Sequence, residues 1–240
     1  MNRFLTETEI ARFLGEGLSE IRKALHGSRL KTVQRQGQQV YPREDVLNWI
    51  SENFSSLTTE RLMKADHSSA DQGGLDPASC GITRLLQGGR IFFPERVSTR
   101  SSVFRALSAR AVELGAVYRE EELREQLQSR EEVLSTALKC GAALIHPLDI
   151  GKLYVEHELL LLMIPPHPVP FGEPSGRLTS LFFLLLFPDP HRHVHALARL
   201  NRMLRDDDFI ETLLGCVTEE EAAEAVYYRE LQITNNGSRG

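Results

Sequence analysis

Cys140-Gly141-Ala142-Ala143-Leu144-Ile145-His146-Pro147 is the stretch on which the fold of this chain turns. Small and apolar residues run for four positions from Ala142, the pattern of a buried strand. The run stops at a histidine, and Pro147, which has no N–H to give, ends the ladder. This places the imidazole of His146 at the carboxyl end of a strand, where open α/β sheets build their sites. Such a residue is either a nucleophile or proton carrier, or a histidine that closes an edge strand without chemistry. The octapeptide alone favours the second reading; the surrounding chain changes the balance.

Working outward, Glu158–Ile164 and Ser180–Phe187 are apolar runs bounded by proline. They read as central strands with both faces buried, with the rigid extended loop Pro165–Gly172 between them. Arg90–Phe93 adds a short strand. The periodicity predicts helices over Ser101–Leu114 and Arg119–Gln128, then three closing helices over His193–Leu204, Asp206–Leu214 and Thr218–Tyr228. Asp206 and Thr218 are expected N-caps. Strands alternating with helices predict an α/β domain with a mixed sheet over 81–230, followed by a disordered tail over 231–240.

Residues 1–54 read as a separate small unit. Thr6-x-x-Glu9 is a capping box that opens a helix with Ile10, Phe13 and Leu14 on one face, ended by Gly15 and Gly17. A second helix runs from Ser19 to Leu25, and Gly27 stops it. Leu30–Tyr41 reads as a hairpin turning near Gly37, and Pro42 opens a closing helix that carries Val46, Leu47, Trp49 and Ile50. Arg22, Lys23, Arg29, Lys31, Arg35 and Arg43 fall in a window with no acid between Glu20 and Glu44, a stripe of one sign suited to a phosphate backbone. Residues 55–80 are rich in Ser, Asp, Gln and Gly and read as a flexible linker.

Helix, tight turn, helix, hairpin and helix, in that order, resemble the excisionase-type or MerR-type winged helix-turn-helix. The resemblance implies that the second helix enters the major groove and that the hairpin lies along the backbone. The small size of the unit predicts that specific binding uses a homodimer.

Composition bounds the setting. The 240 residues carry 41% hydrophobic and 25% charged residues, as in ordinary globular proteins. The net charge of -5 argues against global attraction to nucleic acid and leaves only a local basic patch. Cys80, Cys140 and Cys216 are an odd number without CxxC spacing, which argues against a disulfide framework or a thiolate metal site. The N-terminus has no apolar signal core and the longest apolar run, Leu181–Phe187, is too short to span a bilayer, so a cytoplasmic protein with no membrane partner is expected.

His146 has company in His191, His193 and His195, which follow the strand at Leu181–Phe187. One reading makes His146 a phosphoryl acceptor, with His193 beside the phosphate. The other is a metal site, disfavoured because positions i, i+2 and i+4 of a helix do not share a face. Individually, His191 and His195 read as solvated helix-end residues. No metal and no cofactor is expected.

Arg130-Glu131-Glu132-Val133-Leu134-Ser135-Thr136, the strand ending at His146, the strand ending at Pro188, His193-x-x-x-Leu197-x-x-Leu200 and Asp206-Asp207-Asp208-Phe209 resemble, in order and spacing, the type-2 EIIA domain of the phosphotransferase system. This is the fructose/mannitol class, with its nitrogen-regulatory branch. The resemblance covers residues 82–228 and implies that His146 is the phosphoacceptor, that His193 stabilises the phosphate and that Arg130 neutralises its charge. It also implies an HPr-type phosphocarrier as donor and an exposed, shallow site. The expected function is a regulator that couples phosphorylation of His146 to DNA binding. The alternative is a non-catalytic interaction protein with a degenerate EIIA domain, suggested by a loop before the strand that keeps only Gly141.

Overall fold

The computed structural model describes residues 3–35 and 37–237. Residues 1–2 of the expected N-terminal unit, Gln36 of the hairpin turn and 238–240 of the expected tail lie outside that range. In chain order the elements are β1 (Phe4–Thr6), α1 (Glu7–Leu14), α2 (Leu18–His26), β2 (Val33–Arg35), β3 (Gln38–Pro42), α3 (Arg43–Phe54) and α4 (Thr59–Gly73). Then come α5 (Pro77–Cys80), α6 (Ile82–Leu85), β4 (Ile91–Phe92), α7 (Arg100–Glu113), α8 (Glu120–Val133), β5 (Ala142–Ile145), β6 (Leu159–Met163) and β7 (Leu181–Leu186). The chain closes with α9 (Pro190–Met203), α10 (Asp207–Gly215) and α11 (Glu219–Gly237). It divides into two compact units: Met1–Cys80 with Asp189–Arg202, and Gly81–Pro188 with Met203–Gly240.

In the first unit, the Thr6 hydroxyl accepts from the Glu9 N–H, and the Glu9 carboxylate accepts from the Thr6 N–H at 2.7 Å. This satisfies two otherwise orphaned donors at the start of α1. Gly15, at φ 62°, adopts the left-handed cap that ends it. The three-residue β1, which the sequence pattern does not announce, pairs antiparallel with β3, giving a small sheet in the order β1-β3-β2. Ile10, Ile21, Val46 and Ile50, from α1, α2 and α3, are buried.

Residues 55–80 are not a structureless linker. Thr58 caps α4, whose Leu62, Ala65, Asp66 and Ser69 are buried, and Gly74 ends it in the left-handed region. The serines that suggested a linker are the packing face. Ser69 Oγ donates to the Phe13 carbonyl at 3.0 Å, and Ser68 Oγ and Gln72 Nε2 donate to the Arg12 carbonyl. The Arg12 carbonyl also accepts from the Gly15 N–H at 3.1 Å, so these side-chain bonds add to the capping of the last turn of α1. Small polar residues look like linker in a one-dimensional reading, yet they let two helices approach closely.

The second unit is built on a mixed sheet in the order β4-β6-β7-β5. β5 runs parallel to β7, β6 antiparallel to β7, and β4 parallel to β6. The Leu-rich β6 and the Leu/Phe-rich β7 are buried along their whole length, as expected for strands covered on both faces. Phe104 and Leu107 of α7 and Leu123 and Leu127 of α8 pack on this sheet. α8 runs past Gln128 to Val133, so Arg130 and Glu131 lie on the helix and not in a loop. The expected tail is helical to Gly237.

Candidate functional site

β5 delivers His146 at the carboxyl end of the strand. Pro147 breaks the ladder, and the turn that follows is tied to α8: the Leu148 N–H donates to the Gln126 carbonyl at 3.2 Å, and the Asp149 N–H to Gln126 Oε1 at 3.1 Å. His146 is buried, with 3% of its surface exposed, which departs from the shallow open site anticipated from sequence. Its Nδ1 lies 3.2 Å from the Pro147 carbonyl. A carbonyl only accepts, so Nδ1 carries a proton, and in the neutral imidazole the lone pair then resides on Nε2.

Arg130 lies in the same unit, one helical turn beyond Gln126. It is almost wholly buried, and Nη1 donates to the Leu134 carbonyl at 2.8 Å. Its neighbour Glu131 has no role in the sequence reading, yet its carboxylate accepts from the Thr136 N–H at 3.0 Å, from Thr136 Oγ1 at 2.6 Å and from the Ser135 hydroxyl. The Arg-Glu-x-x-x-Ser-Thr pattern thus has a structural component: it locks the exit from α8 into the turn that opens β5. The signal was the four- and five-residue spacing from an acid to a hydroxyl pair.

In the turn that opens β5, the Leu138 N–H donates to the Ala142 carbonyl at 2.7 Å and the Gly141 N–H to the Leu138 carbonyl at 3.0 Å. Gly141 takes a positive φ of 87° there, which its lack of a Cβ permits. In the connection between β6 and β7, Gly172 at φ 109° leaves room for Arg100, whose Nη2 donates to the Phe171 carbonyl at 2.7 Å.

His193 belongs to the first unit and stands in the first turns of α9, buried at 6% exposure. Asp189 caps this helix, accepting from the Arg192 N–H at 2.9 Å. Of the other two histidines, His195 is buried and His191 is half-buried. His191 stacks on Phe13 with ring centroids 4.3 Å apart. His195 is fully enclosed: Nδ1 lies 2.7 Å from Asp66 Oδ1, and Nε2 lies 3.2 Å from the Cys80 carbonyl. Arg202 Nη1 reaches Asp66 Oδ2 at 2.5 Å and Arg199 Nε reaches it at 3.3 Å. No local pattern points to Asp66, which lies 129 residues from His195. Among the described residues no group of three His, Cys, Asp or Glu is placed to hold a metal ion.

Arg22, Lys23, Arg29, Lys31 and Arg35 are displayed to solvent, whereas Arg43 is half-buried and pairs with Glu44 at 2.7 Å. Arg22 and Lys23 stand on the outer face of α2, Arg29 and Lys31 follow it, and Arg35 ends β2. Arg22 Nε pairs with Glu7 at 2.8 Å, and Arg35 lies 4.0 Å above the Phe4 ring. Among the described residues no helix is long and apolar enough to cross a membrane.

Residues 84–228 match the family described as phosphoenolpyruvate-dependent sugar phosphotransferase system, EIIA 2. A nitrogen regulatory protein of Bradyrhizobium diazoefficiens is 32% identical over 149 residues, 61% of this chain and 92% of that protein. The crystal structure of nitrogen regulatory protein IIA-Ntr from Neisseria meningitidis shares the fold, with a TM-score of 0.50 at 24% identity over 57% of this chain and 91% of that one. So does the complex of enzyme IIAMtl with phosphorylated enzyme IIBMtl from Escherichia coli, with a TM-score of 0.51 at 20% identity over 59% and 96%. With its mixed sheet, its strand-end histidine and a match over most of its length, the chain belongs to the EIIA 2 family of the phosphoenolpyruvate-dependent sugar phosphotransferase system.

Proposed function

We propose that this chain is a phosphotransferase-system regulator that accepts a phosphoryl group on His146 from an HPr-type phosphocarrier. The observation that carries the reading is the placement of His146 at the carboxyl end of β5, with its Nδ1 turned to the Pro147 carbonyl. In the transfer, the Nε2 lone pair of His146 forms the new N–P bond while the N–P bond to the donor imidazole breaks. The departing electron pair stays on the donor nitrogen. Positive charge that builds on the His146 ring is offset by the Nδ1–H bond to Pro147. Arg130 and His193 are assigned to the phosphate oxygens by resemblance to the family.

The N-terminal unit is the proposed output. Its helix, turn, helix, hairpin and helix order and the exposed Arg22, Lys23, Arg29, Lys31 and Arg35 support a winged helix-turn-helix that binds DNA as a homodimer. Phosphate adds charge at His146 and shifts the DNA-binding state.

The burial of His146 favours a second reading, a non-catalytic EIIA domain that binds a partner. In-line transfer between two proteins needs an accessible acceptor, so an active site of this kind must open locally. Incubation with enzyme I, HPr and phosphoenolpyruvate, followed by detection of acid-labile phosphate, separates the two. Label on the wild type and none on His146→Ala supports transfer; no label on the wild type leaves the binding role.

A further inference from the structure

We propose that Asp66, which lies outside the matched residues 84–228, is a positioning residue for the helix that bears His193. The proposal deepens the phosphoryl-transfer reading and rests on it for the role of His193. Asp66 sits on α4 with no exposed surface. Stripping water from a carboxylate costs more than most single interactions return, so a buried aspartate persists only where cations face it. Here all three come from α9: His195 at 2.7 Å, Arg202 at 2.5 Å and Arg199 at 3.3 Å.

Their spacing gives the geometry its consequence. Steps of four and three residues put His195, Arg199 and Arg202 on one stripe of α9. The stripe covers two turns, about 10 Å of helix. A single carboxylate that holds both ends of such a stripe sets the rotation of the helix and its position along the axis. His193 stands two residues before His195, about 200° around the helix from it. Turning or sliding α9 therefore displaces His193 on the far side. The Cys80 carbonyl, which faces His195 Nε2 at 3.2 Å, holds the second ring nitrogen and keeps the imidazole from swinging. A residue contributed from outside the family domain thus fixes the orientation of a helix inside it.

The test is Asp66→Asn in the full chain, with two measurements. One is the rate of acid-labile phosphate incorporation from phosphoenolpyruvate, enzyme I and HPr. The other is NMR of the His193 imidazole, assigned with His193→Gln, and its titration. The expected results are a loss of rate of about tenfold or more, displaced His193 signals with the signals of exposed His167 unmoved, and partial recovery of both in Asp66→Glu. Unchanged His193 signals and titration in a folded Asp66→Asn protein overturn the proposal. If Asp66→Asn does not fold, Arg199→Lys keeps the charge but loses the planar donor, and unmoved His193 signals there overturn it equally. A wild type that takes up no phosphate refutes the phosphoryl-transfer reading alone, and the NMR comparison still decides the positioning role.

Discussion

The Asp66 carboxylate and the His195 imidazole meet at 2.7 Å, Oδ1 to Nδ1, with neither side chain reaching water. Burial by itself would push the Asp66 carboxyl up. The hydrogen bond from His195 and the positive charges of Arg199, His195 and Arg202 reverse this and hold it at about 2. Burial would likewise push His195 down, but its bonds to Asp66 and to the Cys80 carbonyl, with the Asp66 charge, raise it to about 9 against the opposing charge of Arg199.

The pair makes stability depend on pH at both ends. Asp66 is depressed from 3.8, so its contribution is present above about 3.8 and lost as pH falls toward about 2. His195 is raised from 6.5, so its contribution is full below 6.5 and lost as pH rises through about 9. Each shift corresponds to roughly 2–3 kcal/mol, and the two describe one interaction, so they do not add. Thermal unfolding between pH 7 and pH 10 is expected to show a falling midpoint in the wild type and a flatter profile in His195→Gln. Parallel profiles would remove His195 as the cause.

Glu131→Ala is expected to destabilise the second unit by about 2–3 kcal/mol, because it strips the acceptor from the Thr136 N–H and two hydroxyls. The effect is local to the entry of β5. Amide exchange at Thr136 and at Leu144, which donates to the Thr136 carbonyl at 3.2 Å, accelerates ahead of the core strand β6.

Gly15→Ala places a Cβ in a left-handed backbone at φ 62°, 3.0 Å from the Lys64 carbonyl oxygen and 3.2 Å from Ser68 Cβ. Strain and the forced separation of α1 from α4 together cost about 2 kcal/mol. Trp49, the sole tryptophan, lies in the first unit, so urea titration followed by its fluorescence reads the lowered midpoint.

Lys23→Ala and Arg22→Ala differ in their expected effect on DNA binding. Glu7 already pairs with Arg22 at 2.8 Å, which leaves less of its charge for phosphate. Anisotropy titrations over a salt series are expected to show the slope of log K against log salt reduced by about 1 for Lys23→Ala, and by less for Arg22→Ala. Slopes that do not depend on these residues would remove α2 as the contact surface.

Local chemistry carried much of the fold into the sequence. The apolar runs that became β5, β6 and β7 need no distant partner to be recognised, because only buried strands tolerate them. The Thr6–Glu9 box and the Asp206 cap are bonds between residues three apart, and the spacing announces them. The three-residue β1 marks the limit, since a strand that short has no periodicity to read; the two-residue β4 is legible only through the apolar residues of Arg90–Phe93.

The sequence by itself determined which residue ends the strand: Pro147 stops the ladder, so His146 stands at the end of β5. Only the tertiary structure decided how that histidine is held, with Nδ1 on the Pro147 carbonyl and little surface exposed. It also decided that a serine-rich stretch is a packed helix and that Asp66 draws three cations from α9. Periodicity and capping act over three or four residues and leave a trace in the order of the chain. A buried carboxylate and the charges that stabilise it are matched by proximity in space, and nothing in the intervening 128 residues records the pairing.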